Sequence, residues 1–311
     1  MIRRLFPNSD FLNCPCDSTL CPIATRSNPA SHCVFDQRTS NLTDSLNILA
    51  VIAYVAATAL TIRSMGPTQT QGKTELKALR LVLVVGLFLH GSALAMVLGV
   101  GKSPNFALGT TVSSVAWIIV MLFLVSSLRA PLTSLGILVL PTAAIATLVG
   151  WLYPGTLHAL ALGSIAAKFH LLIAGLSFGL LSLAVAQSIL LFFLDRLIRN
   201  KHPVGFWLSL PPMETMELIL FRLIFSGFTL LTVTLISGMV FSDRLFGQPF
   251  VLNHHVTLAV LAWLSFAVLL GGHRLFGWRG RTAVNWTLAS FVILALGYFG
   301  TRFILEVLLS N

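Results

Sequence analysis

Three histidines are the residues of this chain best suited to bind an iron centre. His254 and His255 end a short loop between two apolar runs, and His170 opens an earlier apolar run. Neutral imidazole nitrogen is a common axial ligand of haem iron, and two imidazoles can fill both axial positions. Because the side chains of adjacent residues diverge, His170 with His254 is a better pair than His254 with His255. These residues predict a haem site if the apolar runs bring them to one surface.

The composition indicates that the apolar runs cross a membrane. The 311 residues are 56% hydrophobic and 10% charged, with a mean hydropathy of +0.89, whereas soluble domains carry about 25% charged residues. Eight runs approach the roughly 20 apolar residues that a transmembrane helix needs; they lie near 45–63, 81–100, 107–128, 132–152, 170–194, 218–242, 256–272 and 284–305. The sequence therefore predicts an all-α, polytopic membrane helix bundle with about eight transmembrane helices.

Basic residues predict the orientation of this bundle, because short cytoplasmic loops retain Lys and Arg. They cluster around alternate connections, at Arg63, Lys73, Lys77, Arg80, Arg129, Arg196, Arg199, Lys201, Arg274, Arg279 and Arg281. The other connections hold only Lys102, Lys168 and Arg244. We therefore expect both termini, and the three histidines, on the outer side. The net charge of +10 partly reflects this topology, and without a nucleic-acid fold signature we expect no nucleic-acid partner.

The first 42 residues form a different kind of segment, polar and irregular, and they hold all four cysteines. The spacing of Cys14, Cys16, Cys21 and Cys33 fits no standard zinc pattern. No apolar core of useful length precedes Leu46, which argues against a secretory signal. Two interpretations stay open, a disordered outer extension and a start codon placed too far upstream. We therefore divide the chain into an N-terminal extension, 1–42, and a membrane domain, 43–311.

Two further histidines lie in or near the runs. His90 is central in the second run, within LFLHGSAL, and an imidazole at membrane depth needs a partner or a function. It is either a further cofactor-binding residue or a buried histidine hydrogen-bonded to a neighbouring helix. His273 follows the seventh run, beside Arg274, and is predicted to be a solvated loop-end residue. Gly175 and Gly179 form a small-xxx-small pattern that predicts close helix packing.

Phenylalanines precede the second candidate ligand. Phe241 lies at the end of the sixth run, and Phe246 and Phe250 lie in the connection that ends at His254. They could provide a flat apolar surface for a porphyrin, which makes Phe246 and Phe250 candidate cofactor-binding residues. An aromatic belt at the membrane interface accounts for the same residues without any ligand.

Three stretches resemble a known family. LISGMVFSDRLFGQPFVLNHHVTLAVLAW, residues 235–263, resembles the tryptophan-rich outer loop and flanking spans of the CcsA-like cytochrome c assembly proteins. GWRGRTAVNW at 277–286 and GYFGTRF at 297–303 resemble the closing span of that family's shorter branch, the YpjD- and HemX-like proteins of bacterial inner membranes. The resemblance runs over roughly 45–305 and is strongest after His170. It implies a multi-pass protein of the bacterial inner membrane.

This resemblance implies haem handling. Typical members take haem across or within the membrane and present it at the outer face for covalent attachment to apocytochrome c. Outer histidines hold the iron, the tryptophan-rich loop cradles the porphyrin, and His170 matches the position of one such histidine. The expected partners are therefore haem, apocytochrome c or other cytochrome c assembly proteins, and the lipid bilayer.

The chain departs from the family pattern around its second candidate ligand. Phe246 and Phe250 stand where tryptophans are expected, Asn253 replaces the usual acid, and His254 falls at the position of a proline. A second outer histidine is expected after the last span, but the sequence there reads LEVLLSN. These departures leave His254 as the candidate second ligand of the iron.

Three functions from different classes remain. The first is a haem-handling integral membrane protein that assists cytochrome c assembly or haem delivery at the outer face. The second is a HemX-like membrane regulator or scaffold with weak or no haem binding. A transporter is disfavoured, because no repeat is visible and only Pro141 interrupts a span. We expect no enzymatic catalysis, since Asp195, Asp243 and Glu306 lie at span ends and form no intramembrane carboxylate pair.

Overall fold

A computed structural model describes residues 29–65, 69–98, 107–129, 132–153, 165–200, 210–240 and 254–300. Within these residues the chain forms eight α-helices and no β-strand. The helices are α1 (Pro29–Ser64), α2 (Gln69–Val97), α3 (Leu108–Arg129), α4 (Gly136–Leu152), α5 (Ile165–Arg199), α6 (Met213–Val240), α7 (His254–Phe276) and α8 (Gly280–Ala295). A 3-10 turn precedes α4 at Thr133–Leu135, and a π-helical turn extends α8 over Leu296–Gly300.

Each helix contains a segment long and apolar enough to cross a membrane. The segments are Asn41–Ser64, Thr74–Val97, Leu108–Leu128, Thr133–Leu152, Ile165–Arg199, Met213–Val240, Val256–Phe276 and Gly280–Gly300. Large apolar side chains cover their outward faces, such as Phe88 at 76% and Leu81 at 67% exposure, and this surface suits contact with lipid tails. The predicted all-α bundle of eight spans in a multi-pass membrane protein is confirmed.

Two helices extend beyond the apolar runs. α5 covers Ile165–Arg199, so it continues past residue 194 through a turn in which Asp195 Oδ1 and Arg199 Nε lie 3.1 Å apart. Such an i,i+4 ion pair supports a helix where it leaves the hydrocarbon core. α1 begins at Pro29, inside the segment assigned from sequence to the N-terminal extension, where the sequence has no apolar run to indicate a helix.

The first four helices pack into one bundle, with α1 against α2 and α4, and α3 against α4. Glycines let these helices approach closely. A Cβ built on Gly86 of α2 would lie 3.1 Å from Ala53 Cβ, and one built on Gly150 of α4 would lie 2.6 Å from Ser113 Cβ. At these glycines the helices of the first bundle therefore lie so close together that larger residues would force them apart.

The second bundle consists of α5–α8 and joins the first mainly through α3 and α5. A Cβ on Gly175 would meet Ile118 Cδ1 at 2.8 Å, and one on Gly179 would meet Leu122 Cδ1 at 2.7 Å. These contacts confirm the close packing that the small-xxx-small pattern predicts. Because both contacts advance by four residues in the same direction, α3 and α5 run parallel.

Neighbouring helices of the second bundle run antiparallel. His170 of α5 faces Ser237 of α6, and Gln187 donates to the Met216 carbonyl oxygen at 3.0 Å. The Trp263 indole of α7 donates to Thr232 Oγ1 at 2.9 Å, and the His273 ring stacks on Phe221. The starts of α5 and α7 and the end of α6 therefore share one end of the bundle, which we call the His170 end.

Candidate functional site

His170 lies in the second turn of α5 and is half-buried between α5 and α6. The two residues before it, Lys168 and Phe169, are exposed. The Nδ1 atom of His170 lies 2.9 Å from the Oγ atom of Ser237 in the last turn of α6. The structure thus places one predicted site residue at an interhelical contact with a specific polar partner.

The direction of this hydrogen bond follows from a second one. Ser237 Oγ lies 3.0 Å from the carbonyl oxygen of Thr234, which can only accept, so the single hydroxyl hydrogen of Ser237 is donated there. Ser237 Oγ is then the acceptor toward His170, and Nδ1 of His170 carries the hydrogen. In a neutral imidazole with Nδ1 protonated, Nε2 holds the lone pair that a metal ligand needs.

Polar contacts deeper in the bundle maintain the register of α5 on α6. Ser177 Oγ donates to the Gly227 carbonyl oxygen at 2.9 Å, and Gln187 Nε2 donates to the Met216 carbonyl oxygen at 3.0 Å. A Cβ on Gly227 would lie 2.8 Å from Leu181 Cδ2, so the helices approach closely at this level. Hydrogen bonds between spans are favourable where water is excluded. They align the two helices so that His170 meets Ser237.

For the other candidate ligand, His254, the structure gives the position of the backbone only. α7 begins at His254, so His254 and His255 occupy its first two positions at the His170 end. Their side chains, and the whole of Phe246 and Phe250, lie outside the described residues. The topology therefore brings the backbone of His254 to the same end of the bundle as His170, and the ligand roles of His254, Phe246 and Phe250 stay predictions.

His90 lies in a buried polar network of the first bundle. Its exposure is 0%, and its Nδ1 atom lies 3.0 Å from Tyr54 Oη while its Nε2 atom lies 2.8 Å from Ser113 Oγ. Thr147 Oγ1 lies 3.5 Å from Nδ1 but donates its hydrogen to the Ala143 carbonyl oxygen. Both ring nitrogens thus have partners on neighbouring helices. This geometry favours the hydrogen-bonding interpretation of His90, and its cofactor role stays a prediction.

Removing the hydroxyl group of Tyr54 should destabilise the first bundle. The Tyr54→Phe variant retains the ring but leaves Nδ1 of His90 without its nearest partner, and hydrogen bonds between transmembrane helices contribute about 0.6 to 1.7 kcal/mol. We expect a loss of that size in thermal or denaturant unfolding in detergent micelles.

Tyr153→Phe is the control for this substitution, since Tyr153 directly follows the last residue of α4 and is 59% exposed. It should unfold as the unmodified protein does. Equal stability of the Tyr54 and Tyr153 variants would show that the hydrogen bond between Tyr54 and His90 does not stabilise the bundle.

His273 differs from its predicted solvated state. Its ring stacks on Phe221 with centroids 3.5 Å apart, and its Nδ1 atom lies 2.9 Å from the carbonyl oxygen of Trp278. The turn between α7 and α8 brings Trp278 back toward α7, and Gly277 and Gly280 have φ angles of 65° and 55°, which glycine adopts without strain. His273 is therefore part of the packing at the end opposite His170.

The described part of the chain holds no cluster of typical metal-ligating side chains. Those residues contain no group of three or more His, Cys, Asp or Glu side chains that could hold a metal ion. Haem iron takes only one or two ligands from a protein, so a haem site does not require such a group.

Sequence reasoning missed Ser237, Tyr54 and Ser113. A serine or tyrosine within an apolar run is common, and its partner depends on which helices pack together. The one available signal was that His90 needed a partner at membrane depth, and it did not indicate which one.

Comparison with known proteins is consistent with this architecture. Residues 78–309, about three quarters of the chain, match the family described as "Cytochrome C assembly protein". The chain is 32% identical over 139 residues to "Inner membrane protein YpjD" of Escherichia coli K12, which covers 45% of this chain and 52% of that protein. It is 33% identical over 89 residues to "Cytochrome c biogenesis protein CcsA" of Trichormus variabilis, covering 29% of this chain and 25% of that protein.

The chain thus spans about half the length of the Escherichia coli relative and about a quarter of the Trichormus variabilis one. The family match, unlike these two, extends from α2 to beyond the π-helical turn after α8. It confirms the resemblance seen in the sequence. This eight-helix membrane protein belongs to the cytochrome c assembly protein family.

Proposed function

We propose that this protein binds haem through His170 and assists cytochrome c assembly, or haem delivery, at the outer face of the bacterial inner membrane. The observation that carries the proposal is the hydrogen bond from Nδ1 of His170 to Ser237 Oγ. It prepares Nε2 as the lone-pair nitrogen, and neutral imidazole is the form that ligates haem iron.

The names of the two relatives support the proposed process and the proposed membrane. The Trichormus variabilis protein is named a cytochrome c biogenesis protein and the Escherichia coli protein an inner membrane protein. Extended to this chain, these names support a role in cytochrome c biogenesis within the inner membrane. Apocytochrome c or another assembly protein would be the partner.

The distribution of basic residues supports an outer position for the His170 end. Arg199 and Arg274 close α5 and α7, at the end opposite His170. Because cytoplasmic loops retain Lys and Arg, the end that holds His170 faces outward. This orientation puts both termini of the bundle outside.

The protein would hold and orient the haem rather than act as an enzyme. Haem supplies the vinyl groups that become attached to cysteines of the apocytochrome, and this chemistry belongs to the cofactor. His170 would be one axial ligand, and His254, at the start of α7 on the same end, is proposed as the second.

The visible spectrum of the purified protein tests this proposal. We expect protein from haem-sufficient cells to show a Soret band and sharp low-spin bands in the reduced-minus-oxidised spectrum. If His254 completes the pair, His254→Ala should lose the low-spin bands, while the matched variant His255→Ala should keep them.

A protein that is colourless and takes up no added haem would overturn the proposal. The alternative, a HemX-like membrane regulator or scaffold with weak or no haem binding, would then replace it. Low-spin bands that survive in both histidine variants would remove His254 from the ligand set and require a different second ligand.

A further inference from the structure

We propose that Ser237 is a positioning residue for haem binding, which accepts the hydrogen bond from Nδ1 of His170 and so fixes Nε2 as the nitrogen presented to the iron. This inference rests on the proposed function, because Ser237 acts through His170. It identifies Ser237 as the residue of α6 that fixes the tautomer and the orientation of the His170 ring.

The serine hydroxyl is itself held in place. Its hydrogen is donated to the Thr234 carbonyl oxygen at 3.0 Å, within the same helix, which directs a lone pair of Oγ toward the His170 ring at 2.9 Å. A hydroxyl that rotated freely could donate to Nδ1 and move the ring hydrogen to Nε2. The Thr234 contact opposes this exchange, because a hydroxyl that donates to Nδ1 gives up its hydrogen bond to the Thr234 carbonyl oxygen, whereas a ring protonated at Nδ1 keeps both hydrogen bonds.

Hydrogen bonding at Nδ1 also changes the ligand strength of the ring. A partner that accepts from Nδ1 fixes the tautomer, orients the ring and raises the basicity of the other nitrogen. A more basic Nε2 donates more electron density to iron and stabilises the ferric state. Ser237 would therefore affect both haem affinity and the reduction potential of the bound haem.

The next residue, Gly238, lies near the same ring. A Cβ built there would lie 3.4 Å from Cε1 of His170, the carbon between the two nitrogens, at ordinary van der Waals distance. A residue with a Cβ would therefore fit beside Cε1 without displacing the ring. Ser237, rather than Gly238, is thus the residue of this turn that constrains the His170 ring.

Substitution of Ser237 in the full-length protein tests the inference. Ser237→Ala should weaken haem binding about 10- to 100-fold, as loss of a ligand's hydrogen-bond partner typically does, and should shift the midpoint potential of the bound haem to a more positive value. Ser237→Thr keeps the hydroxyl and should restore both properties. Spectrophotometric haem titration and potentiometric titration in detergent measure them.

Ser182→Ala is the matched control. Ser182 is also half-buried and donates to a carbonyl oxygen of its own helix, at Phe178, but does not contact a histidine. It should leave affinity and potential unchanged. A purely structural Ser237 would lower thermal stability without moving the potential.

Two results would overturn the inference. If the unmodified protein binds haem and Ser237→Ala binds it with equal affinity and potential, Ser237 has no positioning role while the proposed function stands. If the unmodified protein itself takes up no haem, both the proposed function and this inference fail.

Discussion

Replacing His170 with alanine should remove most of the haem from the purified protein while leaving it folded and inserted in the membrane. His170 is the axial ligand in our proposal, and loss of the ligand itself should exceed the roughly 10- to 100-fold loss expected for removing its hydrogen-bond partner. The alanine leaves the α5 backbone intact and removes a half-buried ring. Haem content per protein, from the Soret absorbance after purification, measures the effect.

His273→Ala is the matched control for this variant. His273 is another half-buried histidine whose Nδ1 atom has a fixed acceptor, the Trp278 carbonyl oxygen, but it lies at the opposite end of the bundle. It should retain haem even if loss of the Phe221 stacking lowers its stability. Unchanged haem content in the His170 variant would exclude His170 as a ligand, and equal losses in both variants would indicate a general packing defect.

Replacing Gly150 with alanine should destabilise the first bundle by about 1 to 3 kcal/mol, the range found for overpacked cores. A Cβ at Gly150 would lie 2.6 Å from Ser113 Cβ and 2.7 Å from the carbonyl oxygen of Gly109. Neither atom is at the end of a flexible side chain, so α3 and α4 must separate. The shift also moves Ser113 Oγ away from Nε2 of His90, and thermal unfolding in detergent measures the combined loss.

Gly271→Ala separates this steric effect from the general effect of alanine in a helix. Gly271 lies within α7, and a Cβ built there has no heavy atom within 4 Å. Alanine is favoured over glycine in a helix by about 0.5 to 1 kcal/mol, so this control should be as stable as the unmodified protein or slightly more stable. Equal behaviour of the two variants would mean that the helices of the first bundle are not in close contact at Gly150.

The eight helices could be predicted from the sequence because each is a local property of the chain. A run of about 20 apolar residues must form a helix in a bilayer, where every backbone polar group needs a partner within its own segment. The same local reasoning placed His170 near the start of α5 and His254 at the start of α7. The family was recognisable because residues 235–263 and 277–303 resemble it without any knowledge of packing.

Only the tertiary structure decided what each polar side chain contacts. Tyr54 and His90, 36 residues apart, and His170 and Ser237, 67 residues apart, meet because glycines set which helix faces approach closely. Sequence alone left two interpretations of His90 and did not indicate Ser237. In the described helices, large apolar side chains lie on exposed faces as well as on buried ones. Hydrophobic periodicity therefore does not determine which face is buried, whereas shape and hydrogen bonding between helices do.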